Sequence, residues 1–161
     1  MDALPADFFD LIETFLSGNV EFLLVGSFAL AAHGVSRTTG DMDIWVRPTP
    51  ENAVAVFQAL ARFGAPLAMH RIRAEDFARA GTIYQMGLPP LRIDVLTKPS
   101  GVDFEGAWSR RHLANLGSLE VPVIGIADFV RNKTAAGRPR DLLDLALLRA
   151  AGVDVAGLLS Q

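Results

Sequence analysis

Three aspartates carry the chemistry that this sequence can offer. Asp41 and Asp43 stand two residues apart in DMDIWV (41–46), a short apolar run that reads as a strand and closes at Pro48 and Pro50. Side chains two apart on a strand point to the same face, about 7 Å from each other along the backbone. Carboxylates crowded on one face repel unless a cation lies between them. Mg²⁺ supplies that charge and takes oxygen ligands, often one or two carboxylates with phosphate and water completing the shell. The alternative is a pair of solvated acids at a strand entrance. Asp94 lies inside LRIDVL (91–96), between Ile93 and Val95. A carboxylate in an apolar strand is disfavoured unless it is protonated, metal-bound or paired, and Arg92 is a neighbour that could pair with it.

A fourth feature precedes these acids. VGSFALAAHG (25–34) reads as a strand that ends in Gly26-Ser27 and runs directly into a helix. Glycine lets the chain turn tightly and lets a ligand approach with no Cβ in the way. The free N–H groups of a helix start favour phosphate, and Ser27 adds a hydroxyl donor. A plain helix cap would look the same.

The elements that must position these residues follow from the pattern of apolar positions. Residues 7–16 carry Phe8, Leu11, Ile12, Phe15 and Leu16 at helical spacing, with Gly18 as a stop. EFLLV (21–25) is a buried strand, 27–33 a helix ended by Gly34, and 51–63 an amphipathic helix stopped at Gly64-Ala65-Pro66. Beyond it the spacing suggests a short helix at 74–80, strands at 82–86 and 91–97, a helical turn or two at 103–109, and a hairpin over 112–124 around Gly117-Ser118. Residues 127–136 are helical and stop at Gly137. Pro139 opens a last helix (140–151) where its missing N–H costs nothing. With no repeat or linker, residues 1–161 read as one α/β (α+β) domain, a small mixed sheet flanked by helices, with 125–161 as a helical C-terminal element packed on it.

In this order, Gly26-Ser27, then Asp41-x-Asp43, then Asp94, the chain resembles the polymerase-beta-like nucleotidyltransferase superfamily. The Arg37-Thr38-Thr39 lead-in and RNKTAAGRPRDLLDL (131–145) are similar to its small bacterial branch, linked to abortive-infection and toxin–antitoxin systems. The resemblance implies a nucleotidyltransferase fold and transfer of NMP from an NTP to an acceptor hydroxyl on an RNA end, a protein side chain or a small molecule. It implies Mg²⁺, or Mn²⁺ in its place, on Asp41, Asp43 and Asp94. Gly26 and Ser27 would hold outer phosphates, and Lys133 would reach them as a point charge. A solvated helix lysine is the equal alternative for Lys133. Arg37 would contact phosphate or fix the loop before Asp41, and Thr39 would hydrogen-bond the carboxylates. Asp141 and Asp144 suit the start of the last helix through its dipole, with Asp141 pairing Arg138 or Lys133.

Composition narrows the partners. The 161 residues carry a net charge of −3, and the basic residues form small groups and no continuous face, so a polynucleotide is allowed but not indicated. The absence of cysteine excludes disulfides and thiolate zinc sites. No apolar run is long enough to span a bilayer and the N-terminus lacks a secretory pattern, so a cytoplasmic protein is expected. The small size suggests an acceptor groove that is open, or completed by a partner protein or a second copy. His33, His70 and His112 have no partner at metal spacing, and no Ser–His–Asp order stands out. Two other functions compete: a non-catalytic member of the fold that binds a nucleotide or partner, and a D-x-D glycosyltransferase, which would not require the Gly-Ser turn.

Overall fold

The computed structural model describes residues 4–37, 40–88 and 91–161. In chain order the elements are α1 (Ala6–Ser17), β1 (Phe22–Val25), α2 (Gly26–Ala32), β2 (Met42–Val46) and α3 (Pro50–Phe63). A 3₁₀ turn (Ala74–Ala78), β3 (Ile83–Met86), β4 (Ile93–Leu96), α4 (Phe104–Ser109), β5 (His112–Leu116) and β6 (Leu119–Val123) follow. Then come α5 (Ile126–Ala136), α6 (Pro139–Ala150) and α7 (Val155–Leu159). The strands form a mixed sheet in the order β3-β4-β2-β1-β6-β5. β2 runs parallel to β4 and antiparallel to β1, while β1 runs parallel to β6.

Alternation along the strands sorts their residues onto two faces. Phe22, Leu24, Ile44, Val95 and Tyr84 lie in register on one face. There α1 packs through Phe15 against Phe22, and the 3₁₀ turn packs through Phe77 against Tyr84. The other face carries Val25, Asp43 and Asp94 in one row and Trp45 beside Leu96 in the next. α4 covers Trp45 with Phe104, ring centroids 5.1 Å apart. A continuous core runs through both layers.

Local signals set the ends of these elements. Thr49 caps α3 by accepting the Asn52 N–H, Pro50 fills its first turn, and Gly64 ends it in the left-handed region. Asn52, buried, binds the Glu21 backbone from both ends of its amide and also reaches the Arg47 carbonyl. It thereby locks the start of β1 to the end of β2. The expected strands and helices are all present, with small shifts. β2 begins at Met42, so Asp41 stands just outside it, and α2 begins at Gly26 itself. α7 had no signature in the sequence because its five residues contain too little pattern. No helix among the described residues is long and apolar enough to cross a membrane.

Candidate active site

Parallel pairing of β2 with β4 sets Asp43 directly beside Asp94. Antiparallel pairing of β1 with β2 sets Val25 on the other side of Asp43, so that the chain leaves β1 at Gly26 against the Asp43 carboxylate. Gly26 has a φ of +64° and starts α2 with no intervening loop. A Cβ there would collide with Oδ2 of Asp43. Glycine is therefore required twice, by the backbone angle and by the acid that packs on it. Replacing Gly26 with Val is expected to displace Asp43 and destabilise the protein by about 1–3 kcal/mol. Thermal melts and nucleotide titrations check this. Unchanged nucleotide affinity in the folded variant would leave the turn with a structural role only.

The two acids have unlike surroundings. Burial raises the Asp43 carboxyl to about 6, and the neighbouring Asp94 charge adds to the rise. Asp94 is also raised by burial, but Arg92 opposes the shift. Arg92 Nη2 donates to Asp41 Oδ2 at 3.0 Å, and its Nε lies 3.3 Å from Asp94 Oδ1. The latter contact is charge without alignment, for both atoms are buried and neither has a well-formed hydrogen bond. The ion pair with Arg92 that the sequence left open for Asp94 is thus present, and it extends to Asp41.

Facing the acids is a wall from the C-terminal helices. Lys133, on α5, is buried, with Nζ 3.1 Å from both Asp141 Oδ1 and Asp144 Oδ2 on α6. Arg138 Nε reaches Asp141 at 2.6 Å, and Arg37 Nε reaches Asp144 at 2.5 Å from the opposite side of the chain. Both aspartates have no exposed surface. Burial would raise the Asp141 carboxyl, but hydrogen bonds from Arg138 and Lys133 outweigh it and hold the group at about 2. The start of α6 thus works as an ionic clasp, joining α5, α6 and the segment that leads into Asp41. The Asp141 pairing with Arg138 and Lys133 matches the sequence reading.

Between the acids and this wall lies a cleft of about 320 Å³, bordered by Gly26, Asp43, Asp94, Lys98, Lys133 and Arg140. Asp41, Ser27 and Arg37 border a smaller recess of about 80 Å³ that shares Gly26, Asp43, Asp94 and Lys133 with it. Six of the expected site residues, Gly26, Ser27, Arg37, Asp41, Asp43 and Asp94, therefore meet around this recess, and Lys133 meets them from the other side. Thr39 falls outside the described residues. Two groups are engaged differently from the expectation. Ser27 donates its hydroxyl to the Asp41 carbonyl at 3.2 Å and so braces the aspartate segment. Lys133 is not a solvated lysine, because its ammonium is clasped by two buried carboxylates.

Two cations on the rim were not singled out from sequence. Lys98 and Arg140 are exposed, border the cleft and make no ion pair with any described residue. A signal for Lys98 exists in retrospect. Continuing the alternation from Asp94 through Leu96 puts residue 98 on the same side as the acids. Arg140 had only its place beside Arg138 in a basic group.

The donor set suits a hard divalent cation. Asp43 and Asp94 are adjacent carboxylates, and Asp94 Oδ1 is a buried oxygen without an aligned donor. Two carboxylates, with phosphate and water for the remaining positions, are what Mg²⁺ ordinarily takes from a protein. Among the described residues no three acidic or histidine side chains already converge as a metal cage. Asp41, the third acid, is turned to Arg92.

No protein-family model matches the chain, and no curated protein matches it. Among solved structures it is similar to the crystal structure of a "putative nucleotidyltransferase" from Thermotoga maritima, with a TM-score of 0.59 and 12% identity over 86% of this chain and 88% of that one. The chain thus has the nucleotidyltransferase fold, the architecture implied by the order Gly-Ser, D-x-D and third acid.

Proposed function

We propose that the protein is a divalent-metal-dependent nucleotidyltransferase that moves NMP from an NTP onto an acceptor hydroxyl. The observation that carries this reading is the cleft itself. Paired carboxylates on the sheet face unneutralised cations on the rim, with glycine backbone between them. Asp43 and Asp94 would hold Mg²⁺ or Mn²⁺, with Asp41 joining them. When bound, the ion supplies charge against the triphosphate and against the oxygens that attack and leave. Lys98 and Arg140 hold the outer phosphates, as the cations not already committed to protein carboxylates. The backbone at Gly26 lets the phosphates approach α2 closely. Asp94 positions the acceptor hydroxyl, whose hydrogen its Oδ1 accepts. Such positioning converts a bimolecular encounter into reaction within one complex.

The acceptor is an RNA end, a protein side chain or a small molecule, reached from the open side of the cleft. The Arg37-Thr38-Thr39 lead-in and the 131–145 element support a place in the small bacterial branch associated with toxin–antitoxin systems. Incubation with each labelled NTP, Mg²⁺ and a cell lysate, followed by identification of the labelled product, tests the activity and names the acceptor. No transfer with any NTP and either metal would reject it. Lys98→Ala and Arg140→Ala should each weaken NTP binding roughly tenfold, in line with one charge-assisted hydrogen bond. Calorimetry reads the affinity, and unchanged melting temperatures separate this from misfolding. Wild-type affinity in both variants would remove these residues from the phosphate site.

A further inference from the structure

Arg92 occupies a position that neither the fold nor the proposed transfer explains. It stands one residue before β4, and its carbonyl accepts the Met42 N–H at 2.9 Å, which places it opposite Asp41 across the β2–β4 ladder. Two residues on, Asp94 shares its side of β4. The guanidinium therefore lies between two of the three carboxylates, with Nη2 bound to Asp41 and Nε set against Asp94 at 3.3 Å. It borders the smaller recess together with Asp43. A guanidinium has five donors in a rigid fork. Here one makes an aligned bond to a carboxylate, while the Nε hydrogen, although buried, makes none. An arginine placed only to brace two acids would be expected to satisfy the buried donor. This one offers charge with imperfect geometry.

We infer that Arg92 is a positioning residue that serves as the internal counter-ion of the acid cluster and makes metal entry depend on the nucleotide. This rests on the proposed metal-nucleotide site. A divalent ion arriving alone meets carboxylates already compensated by Arg92 and repulsion from its fixed positive charge. A metal ion arriving with a triphosphate brings anions to which the guanidinium can transfer, since planar bidentate recognition of phosphate suits arginine. Arg92 then releases Asp41 and Asp94 and joins the phosphates. Metal and NTP bind as one event because a single side chain opposes the first and accepts the second.

Mn²⁺ binding measured by electron paramagnetic resonance tests this directly, with no turnover needed. Without nucleotide, Arg92→Gln should bind Mn²⁺ about tenfold more tightly than wild type. A non-hydrolysable NTP analogue should tighten Mn²⁺ binding at least tenfold in wild type and much less in Arg92→Gln. Arg92→Lys, which keeps the charge but not the fork, should resemble wild type without nucleotide and show weaker coupling with it. A second readout uses the unmodified protein, in case a variant fails to fold. The ¹⁵Nε resonance of Arg92 should move on adding Mg²⁺ with the analogue and stay in place with Mg²⁺ alone. Equal nucleotide-free Mn²⁺ affinity in folded wild type and Arg92→Gln, or an Nε resonance that ignores the Mg²⁺-analogue complex, would overturn the role of Arg92 while leaving the metal site standing. Absence of Mn²⁺ binding in every variant, with and without the analogue, would overturn the site and this inference together.

Discussion

Asp43→Asn is expected to make the metal-free protein more stable while reducing nucleotidyl transfer by at least about 10²-fold. The two effects have one cause. Asp43 is held beside Asp94 in a partly dry site, so its carboxyl is raised to about 6 by burial and then by the neighbouring charge. In the unfolded chain the same group ionises near 3.8. Between those values the folded state binds more protons than the unfolded state, so metal-free stability falls as pH rises from about 4 to about 6. Asparagine removes the ionisation and should remove that slope. Above pH 6 the variant should melt higher by about 5 °C, corresponding to roughly 2 kcal/mol for a chain of this size. Below pH 4 the two proteins should coincide.

With Mg²⁺ and NTP the order should reverse, because only the wild type gains stability from the bound complex. Melts across pH, with and without ligand, together with labelled transfer assays, read all of this. Asp94→Asn provides the contrast. From sequence, relief of repulsion would be expected there too. Arg92 opposes the rise of Asp94 without abolishing it, so Asp94→Asn should gain less stability than Asp43→Asn. It should lose Mg-NTP affinity together with turnover, because Asp94 would be one of the metal's carboxylates. A pH-independent wild-type melting temperature between pH 4 and 6 would contradict the burial of Asp43 beside Asp94, which outweighs the charges of Lys133 and Arg140.

Lys133→Met should cost about 3–5 kcal/mol, the largest stability effect of any single substitution at this site. Lys133 is the only described residue paired with both Asp141 and Asp144, and both carboxylates are wholly buried. Removing it leaves Arg138 on one acid and Arg37 on the other, each partly exposed. Urea unfolding should show a lower midpoint with an unchanged slope. Arg138→Gln, at a side chain about half exposed, should cost less than Lys133→Met, because Lys133 stays on Asp141. Adding Asp141→Leu and Asp144→Leu to Lys133→Met should recover much of the loss, because the expense lies in buried charge left with one partly exposed partner each. Acid should act in the same direction. The Asp141 carboxyl is depressed to about 2, so its contribution is complete above 3.8 and fades as pH falls towards 2. If Lys133→Met weakened NTP binding and left stability untouched, Lys133 would be a phosphate ligand and not the centre of the clasp.

The expected elements and the folded ones agree closely because the signals were local. The alternation in DMDIWV, the helical spacing of Phe8, Leu11, Ile12 and Phe15, and the stops at Gly64 and Gly137 each act within a few residues. Burial in a small sheet domain reinforces them. The acids were legible for a related reason. Asp94 between Ile93 and Val95 is a chemical anomaly that one strand of sequence displays in full, and Gly26 after EFLLV marks a turn that a larger residue would disfavour.

What the sequence could not display is which charge meets which. Arg37 and Asp144 lie 107 positions apart, and their pairing exists only because α6 folds back over the segment entering β2. Lys133 and the two α6 acids sit near one another in the chain, yet nothing in their spacing says that all three are wholly or nearly buried. Burial is what turns a solvated helix lysine into the centre of a clasp. The same holds for Arg92. Its proximity to Asp94 was visible, but its reach to Asp41 depends on parallel pairing of β2 with β4, a contact across 51 residues. Local hydrophobic period and backbone geometry thus determine where strands, helices and acids occur. The partners of each charge are decided by chain reversal and desolvation, which belong to the tertiary structure alone.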